Sequence, residues 1–331
     1  MRETQDYSST CKKLTPYSLD CFVSPELSIA CAATPQRLLS TMLPELLGAA
    51  DWTDPPAEME FAEPYSALLQ GIARSVEALA GITKNPDAAL WREALGQAVS
   101  LYTRVPGIVN VLLNYKICIE HELPLHPTVY YELKEARKYR IEHDLAAVED
   151  ANRLYRQSIE LARSALRLEP SFGEESASFL AKLPAELRAF VYTGIRDAYT
   201  WRGSDPELLS RLAQKVRAEF APDIIVAAAH GSIMPALLLS EFLSLPLYFI
   251  RFSMFKRNDE EPIVTFSDQA WLFGFKDKKA LLYDEDVAGG RTLTLFSESM
   301  SPLFAQIRTA CSIRHAGAMI RPDFCARIWW D

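Results

Sequence analysis

The chain has 331 residues, a net charge of −8 at pH 7, 49% hydrophobic residues and 24% charged residues. That length suffices for two domains and a large core, and the balance is ordinary for a soluble globular chain. The acidic balance argues against a general nucleic-acid binder, which would carry a basic stripe, and no run approaches the roughly 18 apolar residues that a membrane-crossing helix needs.

In chain order, residues 1–33 lack clear periodicity and read as an N-terminal arm. Thr34 followed by Pro35 has the pattern of an N-cap with proline at the first helical position. From there to residue 204 the chain reads as a helical domain. Helices are predicted near 35–49, 57–82, 86–103, 106–121, 127–142, 144–168 and 184–200, with a further helix at 205–219. Within 144–168, Val148, Ala151, Tyr155, Ile159, Ala162 and Leu166 recur at spacings of three and four and make one apolar side. Leu154, Leu161 and Leu168 form a second apolar line, which predicts contact with more than one neighbour. No repeat of fixed period is present.

Near residue 220 the pattern changes. Short apolar runs alternate with helical segments, which is the signature of a parallel α/β unit. Strands are predicted near 223–228, 246–252, 270–275, 279–284 and 308–314, and helices near 233–243 and 292–305. The expected architecture is therefore an α/β C-terminal domain with a mainly parallel sheet, residues 205–331, after a large all-α domain, residues 34–204.

The cysteines Cys11, Cys21, Cys31, Cys118, Cys311 and Cys325 include no Cys-x-x-Cys pair, so a zinc site has little support. Cys311 and Cys325 lie in apolar contexts and read as small core residues. With no signal peptide, a reduced, cytoplasmic setting is expected. A P-loop hydrolase is not supported: the chain offers only Gly-Gly-Arg-Thr, without the Gly-x-x-x-x-Gly-Lys motif. No clear helix-turn-helix is found.

The most informative stretch is 280–293, Ala-Leu-Leu-Tyr-Asp-Glu-Asp-Val-Ala-Gly-Gly-Arg-Thr-Leu. A short buried strand leads into Asp284 and Glu285. A small-residue turn, Ala288, Gly289 and Gly290, then leads into a helix opened by Arg291 and Thr292. The turn and helix start offer backbone N–H groups and a positive dipole end, which suit a phosphate. Carboxylates at a strand end suit sugar hydroxyls or a magnesium ion. Upstream, the stretch 223–240 reads as a strand, a tight turn at His230, Gly231 and Ser232, and a helix. The apolar strand that follows ends in Arg251.

These three elements, in this order, resemble the type I phosphoribosyltransferase family over residues 205–331. Asp284 and Glu285 fall on the family's acidic pair, Gly290 on its glycine and Thr292 on its final threonine. The departures are Glu285 in place of the usual Asp, Asp286 in place of an aliphatic and Gly289 in place of threonine. Ala288 stands where 6-oxopurine enzymes carry an Asp base, which argues against that substrate class.

The resemblance implies transfer of a phosphoribosyl group from phosphoribosyl pyrophosphate to a small nitrogenous acceptor, with Mg2+ as cofactor. It places the 5′-phosphate on residues 288–292, including Arg291 and Thr292, and the ribose hydroxyls on Asp284 and Glu285, which also serve as the metal site. His230, Gly231, Ser232 and Arg251 are expected at the pyrophosphate. A mobile loop at 253–268 is expected to close with Lys256 and Arg257 as catalytic cations. Phe324, Trp329 and Trp330 are candidates for stacking on an acceptor ring. A homo-oligomer is compatible with this picture, and neither nucleic acid nor a membrane is expected as partner. The alternative is a regulatory protein that senses the donor or a nucleotide without transfer.

Overall fold

The computed structural model describes residues 36–82, 87–124, 140–254 and 259–330. The predicted arm 1–33, most of the helix predicted at 127–142, and Lys256 and Arg257 lie outside these residues. The change of architecture near residue 204 falls within one compact unit running from Pro35 to Asp331.

The helical part holds α1 (Gln36–Leu47), α2 (Tyr65–Ala80), α3 (Ala88–Glu120), α4 (Leu145–Leu166), α5 (Phe172–Lys182), α6 (Ala185–Ala189), α7 (Ala198–Gly203) and α8 (Pro206–Glu219). Two short strands, β1 (Phe61–Pro64) and β2 (Val191–Gly194), pair antiparallel as a small ribbon. This ribbon breaks two of the predicted helices. Pro64 ends β1 and stands as N-cap of α2, so the helix predicted from residue 57 begins at 65. The residues Val191, Tyr192 and Thr193 favour extended backbone and split the helix predicted at 184–200. The helix α5 was not predicted.

Pro106 does not divide α3, contrary to expectation. Asp87 caps its start, accepting from Ala89 N and Leu90 N at 2.9 Å. A proline inside a helix costs about 3 kcal/mol. Here the cost is offset by burial, because Leu101, Tyr102, Val105, Ile108, Val109, Val111, Leu112 and Leu113 are all in the core. Gly107 lets α2 and β2 press close: a Cβ there would lie 2.7 Å from Leu68 and 2.8 Å from Tyr192. Apart from the half-buried Val148, both apolar lines are buried, and α4 touches α3, α5 and α9 (Ile233–Leu243).

The C-terminal part is a five-stranded, fully parallel sheet of β3 (Ile224–Ala229), β4 (Leu247–Arg251), β5 (Lys279–Val287), β6 (Gln306–His315) and β7 (Phe324–Trp329), in the order β4-β3-β5-β6-β7. Its strands β3 and β4 are buried throughout, as a sheet covered on both faces requires. On the edge strand β4, the Tyr155 hydroxyl donates to Phe249 O at 2.7 Å and accepts from Phe249 N at 3.0 Å. The apolar stripe of α8 (Leu208, Leu209, Leu212, Val216) packs against α9, β6 and β7.

The strand predicted at 270–275 is helical: α10 (Phe266–Leu272) continues as a 3-10 turn at Phe273–Phe275. Thr265 and Asp268 form a capping box at its start. Residues 265–268 therefore belong to an anchored helix start, and the connection that follows β4 is shorter than the predicted loop. Lys116 of α3 fixes this start. It is fully buried and meets Asp268 at 2.6 Å, Thr265 at 2.6 Å and Glu120 at 3.1 Å. The last helix, α11 (Arg291–Met300), follows β5.

Candidate functional site

The sheet order creates the site. From β3 the chain moves to the edge strand β4 on one side, and it later returns to β5 on the other. At such a reversal the loops leaving the C-terminal strand ends diverge and leave a crevice. The two stretches singled out in the sequence both lie there. The first, His230, Gly231 and Ser232, follows β3; the peptide joining Ala229 to His230 is cis. The second follows the end of β5. This strand runs past its last pairing with β3, Ala227 with Tyr283, and continues along β6 through Asp284 and Asp286 to Val287. The acidic residues are thus held in a strand, one edge of which faces the gap left by β3.

The two loops touch. A Cβ on Gly231 would lie 1.5 Å from Glu285 Oε1, so the Glu285 carboxylate occupies the space beside this glycine. From the helical part, α7 closes in behind: a Cβ on Gly203 would lie 3.2 Å from Glu285 O. Asp284 is buried, and burial together with the negative charges of Glu285 and Asp286 holds its carboxyl well above the usual carboxylate range. Asp286 is pushed up to about 6, chiefly by burial, with His315 opposing the rise. The His315 ring lies 3.1 Å from Asp286 and 5.7 Å from the ring of Tyr199 on α7. Adjacent carboxylates at this strand end favour a bound cation or a developing positive charge beside them.

The turn after β5 has the form of an anion cradle. Gly290 has φ +91° and caps α11, whose first-turn N–H groups point out of the helix end. The carbonyl of Gly290 accepts from Thr294 N and from the Thr294 hydroxyl, both at 3.0 Å. Ala288, Gly289 and Arg291 are exposed and Thr292 is half-buried. Ile320 lies over the turn: a Cβ on Gly290 would come within 2.4 Å of it.

The remaining predicted residues are placed differently. The Ser232 hydroxyl is buried and donates to Ala228 O, so it faces the sheet end. His230 is half-buried at the turn. Arg251 is buried and bonded to Asp259 at 3.2 Å, and Asp259 also accepts from Ser253 N at 2.9 Å. Phe324 is core, 6.4 Å from Phe220, and Asp323 is tied to Thr309 N at 2.7 Å. Trp329 lies beneath the guanidiniums of Arg202 and Arg327, each 5.0 Å away, while Trp330 is exposed. Sequence reasoning missed the Asp286–His315 pair, because no fixed spacing announces a contact between neighbouring strands.

Among the described residues no group of three or more His, Cys, Asp or Glu converges on a metal position. Two adjacent carboxylates with hard oxygen donors nevertheless suit Mg2+, which is commonly bound by one or two carboxylates together with substrate phosphates. No described helix is long and apolar enough to cross a membrane.

No family model and no curated protein matches the sequence. Solved structures do resemble its C-terminal part. A purine phosphoribosyltransferase from Pyrococcus horikoshii Ot3 is 27% identical over 40% of this chain and 87% of its own, with a TM-score of 0.32. A hypothetical protein from Neisseria gonorrhoeae with bound ppGpp is 23% identical over 38% and 78%, with a TM-score of 0.32. The Helicobacter pylori xanthine-guanine-hypoxanthine phosphoribosyltransferase is 18% identical over 38% and 80%, with a TM-score of 0.28.

Proposed function

We propose that this protein binds phosphoribosyl pyrophosphate at the crevice between β3 and β5 and transfers its phosphoribosyl group to a small nitrogenous acceptor. One observation carries the reading: the paired carboxylates Asp284 and Glu285 stand at a sheet switch point between a positive-φ glycine turn opening α11 and the Gly231 turn opening α9. The first turn of α11 takes the 5′-phosphate on its N–H groups. Asp284 and Glu285 accept hydrogen bonds from the ribose hydroxyls. As the bond from C1 to pyrophosphate breaks and the acceptor nitrogen approaches C1, the ribose ring gains positive charge, which these carboxylates stabilise. Magnesium, held by Asp284 and Glu285, would offset the charge of the leaving pyrophosphate. Lys256 and Arg257 are assigned to that same group.

The test is incubation with donor, magnesium and a panel of nitrogenous bases, following pyrophosphate release, alongside calorimetry with donor alone. Asp284→Asn with Glu285→Gln replaces two carboxylates that bound magnesium would hold ionised, and a hydrogen bond to a charged group is worth about 1.5–3 kcal/mol, so donor affinity should fall at least tenfold while the protein stays folded. Unchanged affinity in that variant would overturn the assignment. Lys256→Ala with Arg257→Ala should lower turnover more than donor affinity; equal effects on both would remove these residues from the chemical step.

A second reading, a donor- or nucleotide-sensing protein without transfer, is favoured by the closed Arg251–Asp259 pair, which occupies a cation otherwise assigned to pyrophosphate. Tight donor binding with no pyrophosphate release across the panel selects it.

A further inference from the structure

We propose that Cys311 and Cys325 form a redox-modifiable pair, which a peroxide converts to a disulfide bridging β6 and β7. Both are free thiols and direct partners in the parallel register of these strands. Adjacent strands lie about 4.7–4.9 Å apart, inside the Cα separation of roughly 4.4–6.8 Å that a disulfide spans. The side chains share a face: Cys325 packs against the small apolar cluster of Val287, Leu293, Cys311 and Ala318 beneath the glycine turn. Cys311 is fully buried, whereas Cys325 is half-buried and open to a small oxidant.

The surroundings assign the roles. A hydrogen bond from Cys311 holds the Cys325 thiol below its ordinary value, helped by backbone groups and the charge of Arg314. Cys311 is fully buried, which leaves it shielded from the oxidant and next to the sulfur that the oxidant reaches first. Lys215 of α8 approaches the other side, donating to Cys325 O at 3.3 Å. The Cys325 thiolate attacks a peroxide oxygen: an S–O bond forms, the O–O bond breaks and hydroxide leaves, giving a sulfenic acid. The Cys311 thiol then attacks that sulfur. The S–S bond forms, the S–O bond breaks and water departs with the thiol proton. Two thiols are oxidised by two electrons and the peroxide is reduced to water.

The experiment treats the reduced full-length protein with hydrogen peroxide and maps thiols by mass spectrometry without reduction. The expected product is one joined peptide pair containing Cys311 and Cys325, lighter by two hydrogens and restored by dithiothreitol. In Cys311→Ser, Cys325 should stop at a sulfenic acid trapped by dimedone; in Cys325→Ser, Cys311 should stay reduced. Oxidation of Cys325 without the joined pair in the wild type, no reaction at Cys325, or joining to another cysteine would each overturn the proposal. The readout needs no donor or acceptor, so it is independent of the proposed transfer.

Discussion

Gly290 and Asp286 show how much of this site rests on single residues. Gly290 combines φ +91° with Ile320 packed where a Cβ would stand. An L-residue in that backbone region costs about 1–2 kcal/mol, and the clash adds to it. Gly290→Ala should therefore lower stability by about 2 kcal/mol and weaken donor binding. Adding Ile320→Ala should recover the part due to the clash and leave the backbone part. Denaturant midpoints of the three variants check this, and a Gly290→Ala protein as stable as wild type would refute it. Asp286 makes a prediction in pH. Its native carboxyl titrates at about 6 against an ordinary 3.8, so between these values the native state holds a proton that the unfolded state has released. Stability contributed by the neutral form is then full below pH 3.8 and lost as pH rises to about 6. Relative to Asp286→Asn, the wild type should lose on the order of 2 kcal/mol between pH 4 and 6, allowing for screening at a half-buried site. Denaturant titrations at several pH values measure the difference; parallel curves would refute it.

Among the described residues, the start of α10 gathers a cluster of buried charge. Lys116 neutralises Asp268 and Glu120, the Tyr248 hydroxyl donates to Asp268 at 2.7 Å, and Ser267 N donates to Glu120 at 3.0 Å. Burial raises the Glu120 carboxyl, but the charge of Lys116 and the bonds from Ser267 outweigh it and hold it below its ordinary value. That contribution is present above the unfolded carboxylate range and lost as pH falls through the native value. Lys116→Met leaves two buried carboxylates without a counter-charge, and removing one partner of a buried ion pair costs about 3–5 kcal/mol. The variant should lose that much stability, and part should return when Asp268→Asn is added. No loss in the single variant would show that the network is solvated. Because α10 ends the connection that begins at Arg251, the same variant should also loosen residues 259–265, as read by hydrogen exchange.

The whole molecule depends on α9. One side of this helix packs on β3, β4 and β5, and another meets α3 and α4 of the helical part. Ile233, Met234, Ala236, Leu237, Leu238 and Leu239 are all in the core. Expressed alone, residues 205–331 would expose the side that α3 and α4 cover, a large apolar patch that favours aggregation. We expect that fragment to show no cooperative unfolding, and co-expression with residues 35–204 to restore it. A soluble fragment with a sharp thermal transition would show that the C-terminal part folds on its own.

The sequence by itself pointed to a mainly parallel C-terminal sheet and placed four of its strands, β3 to β6, while the strand it placed at 270–275 is helical and β7 lies outside the five strands it placed. It also marked Asp284, Glu285, Gly290 and Gly231, since strand, acids, glycine turn and helix start are contiguous in the chain. Local signals were present for α10 as well, in the Thr265 to Asp268 capping pattern, although the apolar run after it reads as a strand. What only the tertiary structure decided lies between segments distant in sequence. Pro106 stays helical because the core around α3 offsets a local cost. The β1–β2 ribbon forms because residues 61–64 and 191–194 meet. Asp286 finds His315, Lys116 finds Asp268, and Cys311 finds Cys325, because strand register and helix docking bring together residues that no spacing in the sequence relates.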